Sequence, residues 1–207
     1  MQPPKRNRII YTFFSWYISR IIRTDFSSFT VKGLAEAPSK SVLLLANHFS
    51  WWDGFFLFHL NRQFFRKHFH IMVSEDNYNQ VKFLKYLGAF SVKKQSRSMV
   101  ESLEYAGRLL NDPENMVVIF PQGKLHSNHV DEVLFQKGLL SLINSSSKEF
   151  QYVFAAGLID YFEERKPAIT YYLQQWEGAE FTSLQLIKNE YNKHYQAALQ
   201  QQTSRTV

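Results

Sequence analysis

Short apolar runs alternate along the chain with longer segments in which apolar residues recur at helical spacing. A short continuous apolar run is typical of a strand that is buried on both faces of a sheet. Such runs predict strands at residues 41–46, 69–73, 89–92, 116–120, 152–156 and 168–173. Helical spacing predicts helices at residues 52–62, 75–86, 97–110, 137–144 and 181–199, the last one polar and on the surface. We therefore expect an α/β fold, with a mostly parallel central sheet covered by helices on both faces and an N-terminal amphipathic helix.

The N-terminal segment, residues 7–24, combines a narrow polar stripe with a broad apolar face. The stripe recurs every three or four residues, as one side of a helix does, and consists of Arg8, Thr12, Ser15, Ser19 and Arg23. The other face carries tryptophan and tyrosine and is flanked by cations, which is typical of a helix at the lipid headgroup boundary. We expect residues 1–24 to form a membrane-associated helix and residues 25–207 to form one domain. The alternative is an amphipathic helix whose apolar face packs on that domain.

A bilayer-spanning helix is excluded for this segment, because its longest charge-free run covers only residues 9–19. Spanning the hydrocarbon core takes roughly 20 apolar residues. Residues 1–24 contain the chain's first five cations, all of which precede the first acid, Asp25. Since the net charge of the whole chain is +6, the rest of the molecule is close to neutral. A basic end on a neutral body indicates an anionic membrane surface, and no nucleic-acid motif is present.

The absence of cysteine among the 207 residues removes several classes of chemistry. Disulfide scaffolds, thiolate nucleophiles and cysteine-ligated zinc are excluded. The candidate chemistry lies after two of the predicted strands, where ligands bind in open α/β sheets. Asn47, His48 and Asp53 follow the strand at residues 41–46. Histidine suits proton transfer near neutral pH, and a nearby carboxylate can orient its ring and stabilise the imidazolium.

The second group, residues 120–124, follows the strand at residues 116–120. Pro121 ends the strand, and Gly123 allows a tight turn and a close backbone approach to a ligand. Lys124 then places a cation at the mouth of the sheet, where it suits an anionic group of a substrate. By itself, this pattern predicts only a β-turn.

Together the two groups resemble the glycerolipid acyltransferases typified by bacterial lysophosphatidic acid acyltransferases. Their Asn-His-x4-Asp block is matched by Asn47, His48 and Asp53, and the resemblance extends over residues 40–160. The later blocks of the family are matched in the same order, by residues 88–93 with Lys93 in place of arginine, by Phe120, Pro121 and Gly123, and by Lys137 with Gly138.

The resemblance implies an O-acyltransferase that moves a fatty acyl group from acyl-CoA or acyl carrier protein to a hydroxyl of a membrane lipid. His48 is then the general base and Asp53 its partner. The implied substrate-binding residues are Asn47, Lys93, Phe120, Pro121, Gln122, Gly123 and Lys124. No metal or cofactor is implied beyond the thioester co-substrate. We expect a peripheral protein on the cytoplasmic face of an anionic membrane.

The identity of the acceptor stays open at the level of sequence. Gln122, Lys124 and Leu125 stand where the family has glutamate, threonine and arginine. Loss of the arginine weakens the case for a phosphate-bearing acceptor, because lysine makes a point contact where arginine binds phosphate with two parallel hydrogen bonds. The acceptor is either lysophosphatidic acid, as in phospholipid biosynthesis, or a lyso-lipid or glycolipid without phosphate.

Two other functions remain as alternatives. His126, His129 and Asp131 have the residue types of a zinc site, so the first alternative is a metal-dependent hydrolase. The second is a catalytically silent membrane-binding homologue, because the block at residues 120–125 departs from the family pattern.

Overall fold

The computed structural model describes residues 1–93, 97–178 and 182–205, and seven strands of this part form one sheet. In chain order the elements are α1 (Arg8–Asp25), β1 (Ser28–Lys32), β2 (Val42–Ala46), α2 (Asp53–Leu60), β3 (His68–Ser74), α3 (Glu75–Gln80), β4 (Ala89–Val92), α4 (Arg97–Leu109), β5 (Asn115–Ile119), α5 (Leu139–Asn144), β6 (Gln151–Asp160), β7 (Ala168–Trp176) and α6 (Leu184–Thr203). The strand order is β1-β7-β6-β2-β5-β3-β4, and β6 and β7 form the antiparallel pair in an otherwise parallel sheet. The predicted α/β fold with an N-terminal helix is confirmed.

The central strand β2 is buried over its whole length because helices cover both faces of the sheet. Its residues Val42 and Leu44 pack into a core shared with α1 and α2. Leu43 and Leu45 point the other way, into a core shared with α4, α5 and α6. Alternate side chains of one strand therefore enter two separate cores, which is why the sequence shows a continuous apolar run there.

Helix α6 differs from its prediction as a polar surface helix. It buries Ile187, Tyr191, Tyr195 and Ala198 in the core on its side of the sheet. These positions are spaced four, four and three residues apart, so they form one narrow stripe on a helix whose other faces are polar. The surface prediction was therefore wrong for this stripe. Residue 181, where the predicted helix began, lies outside the described residues.

Two further differences lie outside the central strands. β1 was not predicted, because this edge strand alternates polar and apolar residues and none of its side chains is fully buried. The predicted helix at residues 75–86 is interrupted, since α3 ends at Gln80 and a 3-10 turn (Leu84–Leu87) leads to Gly88. Gly88 has φ 97°, and a Cβ atom there would lie 1.8 Å from the carbonyl oxygen of Phe69. Only glycine fits this turn into β4.

Helix α1 begins at Arg8, because the Asn7 side chain accepts a hydrogen bond from the N–H of Ile10 (3.0 Å). Ser15, Ile18 and Ile22 face the domain and are buried. The aromatic side of the helix faces outward. The alternative that the broad apolar face packs on the domain is therefore wrong for the residues on this side. Its exposed apolar residues are Ile9, Tyr11, Phe13, Trp16 and Tyr17.

Over the described residues, α1 and the other helices lack the combination of length and apolar character needed to cross a bilayer.

The sheet brings the two candidate groups together. β2 and β5 are neighbouring parallel strands, with Leu45 in register with Ile119. The loops that begin at Asn47 and Phe120 therefore leave the same edge of the sheet side by side, at a separation of about 4.8 Å between strands. This edge carries the candidate site.

Candidate active site

His48 and Asp53 form a hydrogen-bonded pair at this edge, with Nδ1 of the histidine 2.8 Å from Oδ2 of the aspartate. Their positions differ by five, a spacing that would place them on different faces of a regular helix. They meet because His48 lies in the loop after β2 and Asp53 is the first residue of α2. The Asp53 side chain is completely buried, whereas 23% of the His48 side chain is exposed. The imidazole is therefore the part of the pair that a substrate can reach.

Three hydrogen bonds converge on one oxygen of Asp53. Besides His48, Oδ2 accepts from the N–H groups of Phe49 (2.8 Å) and Ser50 (2.9 Å). Burial nevertheless raises the pKa of Asp53 above its usual value, although these hydrogen bonds favour the charged form. An imidazole that donates from Nδ1 to this carboxylate presents its Nε2 lone pair to the cleft, as a general base requires.

The loop after β5 holds the backbone of His48 from two sides. The N–H of His48 donates to Oε1 of Gln122 (2.6 Å), and the carbonyl of His48 accepts from the N–H of His126 (2.9 Å). Residues 123–125 therefore form a short loop, called the arch below. The residues on either side of the arch, Gln122 and His126, both form hydrogen bonds with the backbone of His48. The Phe120 ring also stacks on the imidazole, with centroids 4.1 Å apart and planes 12° from parallel. Together these contacts define the position of the ring.

Several residues predicted to bind substrate make framework contacts in the structure. Asn47 is buried, donates to the carbonyl of Gly157 (2.9 Å) and accepts from its N–H (2.8 Å), which ties β2 to β6. Gln122 is 2% exposed and binds the His48 backbone, and Pro121 is buried with its carbonyl bonded to the N–H of Gln136 (2.8 Å). These contacts make the three residues part of the framework that holds the site.

Gly123 and the two predicted lysines lie at the open surface of the site. Gly123 has φ 67° and, like Lys124, is exposed on the arch beside His48. Lys93 follows β4, which lies three strands away from β2, at a distance on the order of 14 Å. Lys124 is thus the predicted cation that belongs to the same loop pair as His48.

Sequence reasoning missed Gly157, Gln136 and the backbone of His126. Gly157 packs beneath the Tyr171 ring, where a Cβ atom would lie 2.7 Å from a ring carbon. Gln136 donates from Nε2 to the carbonyl of Gln122 (3.4 Å), and a Cβ atom at Gly123 would lie 3.2 Å from its Cγ. These contacts use backbone groups or a missing side chain, neither of which leaves a motif in the sequence.

The predicted zinc ligands of the alternative function do not come together. Within residues 1–93, 97–178 and 182–205, histidine and acidic side chains form no group of three that could hold a metal ion. His129 and Asp131 are exposed, and His126 contacts His48 only through its backbone N–H. The structure therefore contradicts a metal centre built from these three residues.

An α/β sheet with a reachable imidazole, oriented by a buried carboxylate at its carboxyl edge, has the arrangement that enzymes use to remove a proton from a nucleophile. The model of the Acyltransferase family matches residues 28–156, and the chain belongs to this family. Among solved structures, it is similar to PlsC, the 1-acyl-sn-glycerophosphate (LPA) acyltransferase from Thermotoga maritima.

That structural match has a TM-score of 0.65 and 15% sequence identity, and it covers 97% of this chain and 85% of that chain. At this identity, the likeness establishes the shared fold. Comparison with curated proteins finds no match. The predicted relationship to glycerolipid acyltransferases is confirmed.

Asp53→Asn is expected to raise the melting temperature at pH 8. Because the native pKa of Asp53 is raised, the wild-type protein loses stability as the pH rises through that value and the buried group ionises. Asparagine removes this charge, and about 1 kcal/mol corresponds to roughly 2–4 °C in a chain of this size. The gain should disappear below about pH 3, where the carboxyl is protonated in both the folded and the unfolded state. Melting curves from about pH 3 to pH 8 test this, with exposed Asp131→Asn as the control, and a less stable Asp53→Asn protein at pH 8 would contradict it.

Gln122→Leu should lower kcat of acyl transfer by tenfold or more, because a displaced catalytic group can cost about 10²-fold in rate. Gln122→Glu keeps an acceptor oxygen for the His48 N–H and should retain most of the activity. Gln136→Leu is the matched control, since it changes a residue one contact further from His48. Steady-state kinetics with melting curves decide the matter, and equal kcat values for the two leucine variants would exclude the positioning role of Gln122.

Proposed function

We propose that the protein transfers a fatty acyl group from a thioester, acyl-CoA or acyl carrier protein, to a hydroxyl of a lyso-lipid in a membrane. The observation that carries this proposal is the His48–Asp53 pair, with its 2.8 Å hydrogen bond and its partly exposed imidazole. Membership in the Acyltransferase family supports the acyl group as what is transferred. We infer a lysophosphatidic acid-like acceptor, by likeness to the 1-acyl-sn-glycerophosphate acyltransferase from Thermotoga maritima.

In this reaction His48 acts as the general base. Its Nε2 removes the proton of the acceptor hydroxyl while that oxygen attacks the thioester carbonyl carbon. The tetrahedral intermediate then collapses, the carbon–sulfur bond breaks, and the imidazolium returns the proton to the departing thiolate. Asp53 stabilises the imidazolium that exists between the two proton transfers. Water is not consumed, and the products are an ester and a free thiol.

Ser50 is not needed as a nucleophile in this mechanism. Its Oγ accepts a hydrogen bond from the N–H of Trp52 (3.1 Å), and its own N–H donates to Asp53. Both groups thus stabilise the turn that joins β2 to α2. This supports direct attack of the acceptor on the thioester, without an acyl-enzyme.

The surface of the arch leaves two acceptor classes in the proposal. Lys124 is an exposed cation that suits a phosphate, whereas its neighbour Leu125 is an apolar side chain with 50% of its surface exposed. A lysophosphatidic acid would pair its phosphate with Lys124. A lyso-lipid or glycolipid without phosphate would leave this lysine in water and contact Leu125 instead.

Attachment to a membrane forms the second part of the proposal. The outward face of α1 exposes Phe13 (54%) and Trp16 (54%), and Trp51 beside the catalytic loop is exposed to 50%. Contacts between aromatic rings connect the two regions. The ring centroids of Phe14 and Phe83 are 4.0 Å apart, Phe83 contacts Phe55, and Phe55 contacts Trp51. A lipid surface that receives α1 would therefore also approach the mouth of the site. We infer a peripheral protein on the cytoplasmic face of an anionic membrane.

His48→Ala should lower the rate of acyl transfer by about 10²–10⁴-fold, the usual loss when a general base is removed. The assay uses labelled acyl-CoA or acyl carrier protein with a panel of lyso-lipids, with and without phosphate, and identifies the acylated product. His126→Ala is the matched control, because that residue contacts His48 through its backbone. More than a tenth of wild-type turnover in His48→Ala would refute the assignment. No product with any acceptor would favour the catalytically silent homologue.

The double variant Phe13→Ser and Trp16→Ser should lose most of its sedimentation with vesicles that contain anionic phospholipid, because it removes the two most central aromatic anchors of α1. Val100→Ser on α4 is the control, since it removes an exposed apolar side chain on the other face of the sheet. Unchanged sedimentation of the double variant would reject α1 as the membrane-binding surface.

A further inference from the structure

A cavity of about 260 Å³, separate from the His48 site, lies between the end of α1, the start of β1 and the end of α2. Its polar lining consists of Arg23, Ser27, Ser28, His59 and Gln63, and the rest of the lining is apolar. No carboxylate lines it within the part of the chain that the structure describes. The volume corresponds to roughly eight water molecules at about 30 Å³ each, enough for a phosphate ester and its first carbon atoms.

His59 takes part in a chain of polar contacts with α1. Arg62 donates to Oγ of Ser19 (3.4 Å) and to the carbonyl of Ser15 (3.0 Å). Oγ of Ser19 also lies 3.2 Å from Nδ1 of His59 and can donate its hydrogen to that nitrogen. Burial, with a further contribution from Arg62 and Arg23, lowers the pKa of His59 to about 4. The ring is therefore neutral at pH 7, and the tautomer that accepts from Ser19 carries its proton on Nε2.

The cavity thus gathers donors and a positive charge without an opposing negative charge. In this tautomer the buried ring of His59 donates from Nε2, and Arg23 is held by a hydrogen bond from its Nε to the carbonyl of Ser19 (3.2 Å). Across the described residues, no carboxylate forms an ion pair with Arg23 or Arg62. A set of donors around a guanidinium suits an anion with several acceptor oxygens.

We propose that this cavity binds a phosphate oxyanion, either the headgroup of an anionic membrane lipid or free phosphate. Arg23 supplies the charge, His59 donates from Nε2, and the hydroxyl groups of Ser27 and Ser28 complete the donor set. Ile22 and Phe26 form the apolar wall, against which the carbon chain next to a headgroup phosphate packs. The site is separate from His48 and needs no acyl transfer, so it goes beyond the proposed function.

The test titrates the full chain with inorganic phosphate at constant ionic strength, using calorimetry for affinity and the ring signals of His59 in ¹H–¹⁵N spectra for location. We expect saturable binding, a shift of the His59 signals, and an affinity at least tenfold weaker in Arg23→Ala. Arg20→Ala is the matched control, because it removes an exposed arginine of the same helix outside the cavity, and its affinity should stay within twofold. His48→Ala should bind phosphate as the wild-type protein does, which separates this site from the catalytic one.

A second titration uses short-chain phosphatidic acid below its micelle concentration, with the corresponding diacylglycerol as the phosphate-free control. Tighter binding than that of inorganic phosphate identifies a lipid headgroup, and equal binding identifies free phosphate. The proposal is overturned if sodium chloride alone produces the same His59 shifts, if binding does not saturate, or if Arg20→Ala and Arg23→Ala weaken it equally.

Discussion

The Asp53 carboxylate is completely buried, and one of its oxygens receives the Nδ1 of His48 and two backbone N–H groups. This arrangement determines both the rotamer of the imidazole and the nitrogen that it offers to a substrate. It also has a cost, since burial raises the pKa of the carboxylate and its Oδ1 has no hydrogen-bond partner in the described structure. In the proposed mechanism, the charge that costs stability is the one that stabilises the imidazolium during proton transfer.

The pairing of β2 with β5 places the loop that follows β5 beside the His48–Asp53 pair. It brings the Gln122 amide and the His126 N–H to the two backbone groups of His48, so that this residue is held by a loop more than 70 residues away in sequence. The same loop exposes Lys124 and Leu125. In the proposed reaction, a group bound at the arch is therefore close to the imidazole.

Helix α1 has the helical period that the sequence predicts, and the structure shows which of its sides packs on the domain. Its small polar residues Ser15 and Ser19 face the domain, where Arg62 and His59 bind them, while the aromatic residues face outward. His59 of α2 and Arg62, which follows α2, provide hydrogen bonds that an apolar core would lack. The outward aromatic residues and Arg23 of the basic cavity both belong to α1. The proposed membrane contact and the proposed phosphate site therefore share one helix.

The sequence by itself determined the α/β alternation, the strands buried on both faces, and the types and order of the residues in the two loops. It also identified His48 and Asp53, because their chemistry depends on residue type and on a short separation along the chain. Only the tertiary structure decided that Gln122 and Asn47 bind backbone groups, that α6 buries a tyrosine stripe, and that α1 turns its aromatic side outward. The physical reason is that local periodicity reveals which side of an element is apolar or polar, whereas the element that covers it is selected by long-range packing and by backbone hydrogen bonds that any residue can make.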